Sequence, residues 1–460
     1  MSFPRYPKYK DSGVEWLGEV PEHWDILPLR RSIEFLTDYE ANGSFADTKE
    51  NVAIDTGEPY AWYVRATDLE QRRFGLVEGN RFCDQATFNW LTKTSLRGGE
   101  LLVAKRGEIG KVYVMPIHGG NATLAPNLYL IRLKRNLQPR YAWYWFSVDP
   151  GKAELVLADK STTIGALYKD DVKACFVTTP STAEQTRIVE FLDAETGKID
   201  ELVAEQKRLM ELLKEKRQAV ISHAVTKGLN PRAPMKPSGI EWLGDVPAHW
   251  NVLAARRIIQ RIEQGWSPEC FGRPAEGEEW GVLKSGCVNR GVFVEEENKA
   301  LPETLDPIPE YEIHSGDVLM SRASGSPELV GSTAFITETR ARLMLSDKIF
   351  RIQPEPNIDR KFFVAAFNSY LLRSQIERAI SGAEGLANNL PQSALKSFLF
   401  PVPPIGEQQA IIKDISTRCG ELGTLAAEAQ KAIDLLQERR TALISAAVTG
   451  QIDVRKLAAA

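Results

Sequence analysis

The sequence has few cysteines and no long apolar run. Its five cysteines are scattered over 460 residues, and no two of them form a CxxC pair. This pattern indicates a reducing cytoplasm and argues against a disulfide framework or a zinc site. No stretch of about 18 apolar residues occurs, so we expect no membrane-spanning helix. The opening residues, MSFPRYPKYKDSG, lack the apolar core of a signal peptide.

An excess of positive charge is also missing. The net charge is -4; residues 1–180 carry 23 Lys and Arg against 23 Asp and Glu, and residues 229–402 carry 19 against 22. A nucleic-acid binder with this composition must concentrate its basic groups on one face or use the charge of partner subunits. Composition alone therefore gives no indication of DNA binding.

Motifs of several common enzyme classes are absent. There is no GxxxxGK(S/T) loop for ATP, and no GxGxxG follows a predicted strand. No Asn/Asp-Pro-Pro-aromatic tetrapeptide of an adenine methyltransferase is present, nor an HExxH or clustered Cys/His set that would hold a metal. The sequence therefore predicts a chain without catalytic residues, cofactor or metal of its own.

The chain contains an internal repeat. Residues 11–31, DSGVEWLGEVPEHWDILPLRR, align with residues 237–257, PSGIEWLGDVPAHWNVLAARR, and 13 of the 21 positions are identical. Residues 180–228 and 403–450 form a second matching pair. We call these two pairs of segments the repeated frame. The stretches inside the frame, such as 35–95 and 260–312, share little, which is what two readers of different targets need.

The second pair of segments has the heptad pattern of paired helices. One row of the first helix holds Leu192, Ile199, Gln206, Leu213 and Val220, and the other holds Ile188, Glu195, Leu202, Leu209 and Lys216. In the second helix the rows are Ile415, Leu422, Ala429, Leu436 and Leu443, and Ile411, Arg418, Leu425, Ala432 and Arg439. Such a seam requires a partner helix, and an antiparallel pair is the simplest solution. The alternative is that each helix lies separately on its own domain.

The fold class predicted from these patterns is α+β, with two pseudo-repeated globular domains separated by two long antiparallel coiled-coil helices. The predicted boundaries are domain 1 at 1–180, a central helix at 181–228, domain 2 at 229–402, a C-terminal helix at 403–450 and a tail at 451–460. A helix of about 40 residues is about 60 Å long. That length could hold two readers over successive grooves of DNA, whose turn is about 34 Å.

Candidate DNA contacts are basic or polar residues in or beside glycine-containing turns. The predicted set is Arg65, Lys105, Arg106, Lys111, Lys284, Arg322, Ser324 and Lys348. Arginine and lysine bind guanine edges or neutralise phosphates, and glycine lets a loop approach a backbone closely. The aromatic run from Tyr141 to Phe146 suggests a base-stacking surface, but a buried helix face is the favoured interpretation. We interpret the repeated His23 and His249 as structural, because neither has a nearby catalytic partner in the sequence.

The SG(V/I)EWLG(E/D)VPxHW element, the P-x-x-x-E-Q-x-x-I start of each helix and its LISAAVTG-type end resemble the specificity subunits of Type I restriction–modification enzymes. The resemblance covers essentially the whole chain. It implies two target-recognition domains, each reading half of a bipartite, asymmetric site in double-stranded DNA. It also implies that the helices set the spacer length and bind two modification subunits, to which two restriction subunits are added.

The resemblance assigns the chemistry to those partners. They would carry S-adenosylmethionine for adenine-N6 methylation, and ATP and magnesium for translocation and cleavage. In the first domain the loop after Lys105 is shorter than the loop after Arg322, so the two sets of contacts are not equivalent. Two alternatives stay open from the residues: a structural adaptor that assembles partners without reading DNA, and a self-contained enzyme whose site is not recognisable.

Overall fold

The computed structural model describes residues 3–107, 109–158, 166–241, 243–289, 291–380 and 388–457. Its internal contacts divide the chain into two units. Unit 1 combines Met1–Gln206 with Lys431–Ala460, and unit 2 is Lys207–Gln430. Each unit therefore contains one globular part and one half of each long helix. Trp242 of the repeated frame and residues 458–460 of the predicted tail lie outside the described residues.

Unit 1 mixes short strands and helices. Its strands are Tyr9–Asp11 (β1), Glu19–Pro21 (β2), Asp25–Pro28 (β3), Ile33–Asp38 (β4), Ala61–Val64 (β5), Arg81–Cys83 (β6), Ser95–Leu96 (β7), Leu101–Ala104 (β8), Val112–Val114 (β9), Asn121–Leu124 (β10), Leu128–Leu133 (β11) and Phe176–Thr179 (β12). Its helices are Phe45–Asn51 (α1), Ala66–Glu70 (α2), Gln85–Trp90 (α3), Pro139–Ser147 (α4), Gly151–Leu157 (α5), Lys169–Ala174 (α6) and the start of Thr182–Lys227 (α7). Short 3-10 helices span Leu29–Arg31, Tyr39–Asn42, Thr92–Thr94 and Val454–Lys456.

Two sheets organise the globular part of unit 1. One has the strand order β4-β11-β8-β9 and is antiparallel throughout, and the other has the order β6-β5-β10-β7 with β5 and β10 parallel. The aromatic run of α4 belongs to the hydrophobic core beside the first sheet, with Tyr141, Tyr144 and Trp145 fully buried. The prediction of a buried helix face is therefore confirmed, and these rings form no base-stacking surface.

Unit 2 also mixes short strands and helices. Its strands are Met235–Pro237 (β13), Asp245–Pro247 (β14), Asn251–Ala254 (β15), Ile259–Gln264 (β16), Gly281–Leu283 (β17), Val288–Asn289 (β18), Val292–Phe293 (β19), Asn298–Ala300 (β20), Val318–Ser321 (β21), Ala323–Ser324 (β22), Thr333–Phe335 (β23), Leu343–Met344 (β24), Ile349–Pro354 (β25), Asn388–Asn389 (β26) and Leu399–Val402 (β27). Its helices are Arg360–Phe367 (α8), Tyr370–Ala379 (α9), Gln392–Ser397 (α10) and the start of Ile405–Val448 (α11). Its 3-10 helices span Ala255–Arg257, Ser285–Cys287, Pro309–Tyr311 and Pro327–Leu329.

The sheet topology repeats between the units. The order β16-β25-β21-β23 reproduces the first sheet of unit 1, and β20-β17-β24 reproduces β6-β5-β10, including the parallel pair. Strands β3 and β15 each pair with the strand that precedes a long helix, β12 and β27. The fold class is therefore α+β with two repeated globular parts, as the sequence predicted.

The two long helices run close to their predicted limits. Helix α7 has 46 residues and α11 has 44. Each ends at a glycine with a left-handed backbone, Gly228 at φ 72° and Gly450 at φ 78°, a conformation that terminates helices without the steric penalty of a side chain. None of the helices in the described part of the chain has the length and apolarity needed to cross a membrane.

The helices pair in an antiparallel manner within each unit. In unit 1 the Asp200 carboxylate binds Arg440 at 2.9 Å, while Thr178, just before α7, donates a hydrogen bond to the carbonyl of Val448. In unit 2 the start of α11 lies beside the end of α7, where Ile412 and Ile415 pack in one core with Ile221 and Ala224. One predicted seam row is confirmed: its members Leu192, Ile199, Leu213, Ile415, Leu422 and Leu443 are buried, and Val220 and Leu436 are half-buried.

The second predicted row is buried at its first members, Ile188 and Ile411, but is wrong by one residue further along. Leu202, Leu209 and Leu425 were expected in the seam, but they are 45%, 41% and 48% exposed. The positions one residue later, Val203, Met210 and Ala426, are half-buried instead. A heptad seam alternates steps of three and four residues, and here the four-residue step follows Leu192 and Ile199. That register keeps the exposed Lys216 out of the seam.

The segment after α11 completes unit 1. Ile452 and Val454 are buried in the core of this unit, and the Asp453 amide donates a hydrogen bond to the Pro4 carbonyl at 2.8 Å. The buried Asp453 carboxylate also binds the Arg455 guanidinium at 2.8 Å. Residues 451–457 are therefore an integral part of the folded unit, in contact with the first residues of the chain.

We expect a chain that stops at Gly450 to lose stability in unit 1. Removing the buried Ile452 and Val454 side chains forfeits about 3 kcal/mol or more of apolar burial. Differential scanning calorimetry should then show the transition of unit 1 at a lower temperature, with the transition of unit 2 unchanged. A chain ending at Leu457 keeps these contacts and is the control; identical profiles for the two truncations would contradict the prediction.

Candidate nucleic-acid interface

In each unit, the VPxHW motif of the repeated frame contacts the Glu-Gln (EQ) motif near the start of the long helix. Glu184, near the start of α7, accepts a hydrogen bond from the Tyr6 hydroxyl at 2.6 Å and lies 3.0 Å from Nε2 of His23. In unit 2 Glu407 lies 2.8 Å from Nε2 of His249 and accepts a hydrogen bond from the Trp250 indole. These contacts give both histidines a structural role. They also explain why the VPxHW and EQ motifs recur together.

The neighbouring glutamines fix the chain before each helix. Gln185 accepts a hydrogen bond from the backbone amide of Gln138 and donates to the carbonyl of Pro180. Gln408 makes the same pair of contacts in unit 2, with the amide of Asp359 and the carbonyl of Pro403. Each EQ pair therefore anchors a long helix to its globular part, so the frame positions the diverged surfaces.

Lys105 does not lie on the surface. Its side chain is only 8% exposed, and its ammonium binds Asp38 at 2.7 Å and Glu40 at 2.9 Å. Burial pushes the pKa of Asp38 upward, but hydrogen bonds from Lys105 and Lys169 outweigh it and hold that pKa below its usual value. The proposed DNA contact at Lys105 is thus corrected: the residue is an internal ion-pair partner.

We expect Lys105→Met to lower the free energy of unfolding by about 2 kcal/mol, because Asp38 loses one charge-assisted hydrogen bond and keeps the one from Lys169. A carboxyl with a lowered folded-state pKa contributes stability that is present above about pH 4 and is lost as the pH falls further. The difference between mutant and wild type in urea titrations should therefore shrink toward pH 3. Equal stability at pH 7 would show that the ion pair contributes nothing.

The other predicted contacts of unit 1 differ in accessibility. Arg106 is well exposed, with its guanidinium 3.8 Å from Glu40. Lys111 binds Glu70 at 2.7 Å and is half-buried. The Arg65 guanidinium binds the buried Asp68 carboxylate, with a shortest distance of 2.6 Å between Nη2 and Oδ1. Arg106 is thus the most available of the three, and Arg65 mainly holds another side chain.

The predicted contacts of unit 2 cluster at the end of β21. The backbone amide of Arg322 donates to the carbonyl of Lys348, so these two residues are neighbours. The Arg322 guanidinium also donates to the carbonyl of Asp347, and Lys348 is exposed. Ser324 is buried and its hydroxyl accepts a hydrogen bond from the amide of Ser326, which corrects its assignment as a surface contact. The Lys284 ammonium lies 3.5 Å from the Glu297 carboxylate.

Four exposed arginines were not among the predicted contacts. Arg30 and Arg31 follow β3, and Arg256 and Arg257 occupy the equivalent place after β15. All four are exposed, and within the described residues none has a carboxylate partner. The signal was present in the sequence as the identical Arg-Arg that ends the first repeated segment. Because these positions are the same in both units, they suit contacts that do not depend on base sequence.

Two of the cysteines, Cys83 and Cys175, are buried thiols. Burial raises the pKa of Cys83 to about 11 and that of Cys175 to about 12, so both stay protonated at neutral pH. Across the ranges that the structure describes, no group of three or more His, Cys, Asp and Glu side chains is placed to hold a metal ion.

A known protein family matches this chain in two places. Two stretches of the chain, residues 63–211 and 274–422, match the family model described as the Type I restriction modification DNA specificity domain. Each stretch contains most of one globular part and the first part of one long helix, up to residue 211 of α7 and residue 422 of α11.

Several relatives match in sequence. The type I restriction enzyme EcoEI specificity subunit of Escherichia coli is 32% identical over 227 residues, which cover 48% of this chain and 38% of the relative. The EcoKI specificity subunit of Escherichia coli strain K12 is 22% identical over 280 residues, covering 59% and 57%. The match thus spans 38% and 57% of these two relatives. A chain assigned as the MjaX specificity subunit of Methanocaldococcus jannaschii is 22% identical over 447 residues, covering 95% and 96%.

One solved structure matches along nearly the whole chain. It comes from work on complex assembly and conformational transition of the type I R-M system, and superposes with a TM-score of 0.66 at 15% identity. The superposition covers 94% of this chain and 99% of that chain. At this identity the likeness establishes a shared fold.

Proposed function

Because the chain belongs to the Type I restriction modification DNA specificity family, we propose that it is the non-catalytic specificity subunit of a Type I restriction–modification complex. In this role it reads a bipartite, asymmetric target in double-stranded DNA, each unit reading one half. The observation that carries the proposal is the repeated fold: equivalent sheets and the same His–Glu contact of the frame hold surfaces whose sequences differ. Two equal scaffolds with different surfaces match a split target with two different halves.

The exposed basic residues fall into two groups, one suited to phosphate contacts and one suited to base contacts. The frame arginines Arg30, Arg31, Arg256 and Arg257 suit phosphates, because they are identical in the two units. Arg106, Lys111, Lys284, Arg322 and Lys348 stay candidates for contacts specific to one half-site. With a net charge of -4, much of the phosphate neutralisation falls to the partner subunits.

The proposed partners are two modification subunits and two restriction subunits. Exposed leucines on the long helices, among them Leu202, Leu209, Leu212 and Leu425, provide apolar surface on which other chains could dock. The partners would supply S-adenosylmethionine for adenine-N6 methylation, and ATP and magnesium for cleavage. We place the complex in the cytoplasm, in keeping with the free cysteines found in the structure.

Co-expression with a modification subunit tests the proposal. Adenine methylation is mapped across a genome by single-molecule sequencing, with and without this chain. The expected result is a bipartite methylated motif that disappears when the chain is omitted. Partner binding without any methylated motif would instead support an adaptor that does not read DNA. Methyl transfer by the purified chain alone would show that it is an enzyme itself.

A further inference from the structure

An ordered loop in the diverged part of unit 1 exposes apolar side chains. Residues 71–80 connect α2 to β6, and the side chains of Phe74, Leu76 and Val77 are each more than 40% exposed. Isolated exposed apolar residues are common on protein surfaces, whereas a contiguous patch marks a contact site. We call residues 71–80 the apolar loop.

Polar contacts, anchored on the buried Asp68, hold the apolar loop in one conformation. The fully buried Asp68 carboxylate binds Arg65 and accepts a hydrogen bond from the indole of Trp62. The Arg65 guanidinium also donates to the carbonyl of Gly79, at the end of the loop. The side-chain amide of Asn80 donates to two carbonyls inside the loop, those of Arg73 and Gly75, both at 3.0 Å. The loop is thus fixed before any ligand binds, which lowers the entropic cost of recognition.

A second loop extends the apolar surface. Ile117, between β9 and β10, is 90% exposed, and the ring of the adjacent His118 lies 5.6 Å from the ring of Trp62. The ring of Phe74 lies 6.3 Å from the same indole. The two loops therefore meet at Trp62, and their apolar tips belong to one region of unit 1.

The fully exposed charges of the apolar loop balance each other. Arg73 is half-buried and lies 3.7 Å from the buried Asp68, a carboxylate that also binds Arg65. The exposed ionic groups that remain are Arg72, held in a left-handed conformation at φ 52°, and Glu78. One cation and one anion flanking apolar side chains match the edges of bases in the major groove. Arginine pairs with guanine, a carboxylate accepts from cytosine, and apolar groups contact the thymine methyl.

We propose that the apolar loop, together with Ile117, is the surface with which unit 1 reads base edges in the major groove of duplex DNA. This inference rests on the proposed function and adds the reading residues, with Arg72 and Phe74 at the centre. A duplex fits better than a protein partner because the loop lies outside the repeated frame. The corresponding place in unit 2 has a short hairpin, β18–β19, with different residues. A partner that binds both units equally would need a surface present in both.

The test uses the full chain in complex with its modification subunit. The methylated motif is determined for wild type, for Arg72→Ala and for a triple change of Phe74, Leu76 and Val77 to serine. The controls are Leu157→Ser, which removes an apolar side chain 75% exposed on α5, and Arg135→Ala, which removes an exposed arginine outside the loop. We expect both loop variants to lose discrimination at one or more positions of one half-site, by about ten-fold per position. The other half-site should be read as in wild type, which also shows that the variant chain is folded.

Several outcomes would overturn the inference. If the wild type reads a bipartite motif and the loop variants keep every base preference, the reading surface lies elsewhere and the proposed function stands. If the variants fail to co-purify with the modification subunit while the controls succeed, the loop is a protein interface. Uniformly weaker methylation at all sequences would make it a phosphate contact. A wild type without any sequence preference would instead contradict the proposed function itself.

Discussion

Replacing Leu192 by aspartate is expected to lower the free energy of unfolding by about 4 kcal/mol or more and to separate the helices of unit 1. Leu192 is fully buried and belongs to the same core as Ile188, Leu443 and Ala447. A carboxyl group at this position would be buried in an apolar setting without a hydrogen-bond partner, which is costly whether it is ionised or protonated. Urea titration followed by circular dichroism measures the loss, and an insoluble variant would agree with it.

Leu202→Asp is the matched control, because it lies on the same helix and is substantially exposed. Its unfolding free energy should change by less than about 0.5 kcal/mol. The pair of variants separates the two possible heptad registers, since Leu192 and Leu202 were both predicted to be in the seam. Equal destabilisation by the two substitutions would restore the rejected register. If both variants had the same unfolding free energy as wild type, the helices would not pair at this position.

Asp68→Ala is expected to destabilise unit 1 by about 3–5 kcal/mol. The substitution removes the acceptor of Trp62 and Arg65 and leaves the partly buried Arg65 guanidinium without its carboxylate. The apolar loop should lose its fixed conformation, so hydrogen exchange of residues 71–80 should become faster. Unit 2 should melt as in wild type.

Asp170→Ala is a suitable control for that experiment, because its carboxylate is 92% exposed and binds only the neighbouring Lys173 among the ion pairs found. Little change in stability is expected there. If Asp68→Ala were as stable as this control and its loop exchanged at the wild-type rate, Asp68 would not hold the loop. Asp68→Asn adds a useful comparison, since it keeps the shape of the side chain and removes only the charge.

The repeat explains why much of the fold could be predicted from the sequence. Two copies of the frame at matching distances locate both globular parts, and the long proline-free segments locate α7 and α11 to within about two residues of their ends. The register of the second seam row was harder to predict from the sequence. Leu202 and Leu209 satisfy a three-residue step as well as Val203 and Met210 satisfy a four-residue step, and only packing decides between them.

The candidate site could be predicted less well, because ion pairs between distant residues leave no local pattern. Lys105 precedes a glycine turn, as a DNA contact would, but its partner Asp38 is 67 positions earlier in the sequence. The ion pair between Arg65 and Asp68 could have been recognised more easily, since its three-residue spacing is visible in the sequence. Exposed apolar residues such as Phe74 and Val77 look like ordinary core residues until the structure shows that nothing covers them.

The composition of unit 1 from both ends of the chain has a consequence for synthesis on the ribosome. Residues 207–430 are contiguous, so unit 2 can be completed while translation is still under way, whereas residues 1–206 must wait for residues 431–460. At about 5–20 residues per second the delay is roughly 10 to 45 seconds. During that time the apolar face of the first half of α7, which Leu443 and Ala447 later cover, has no partner. We therefore expect unit 2 to be completed before unit 1 in this chain, with that apolar face of α7 exposed to solvent in the meantime.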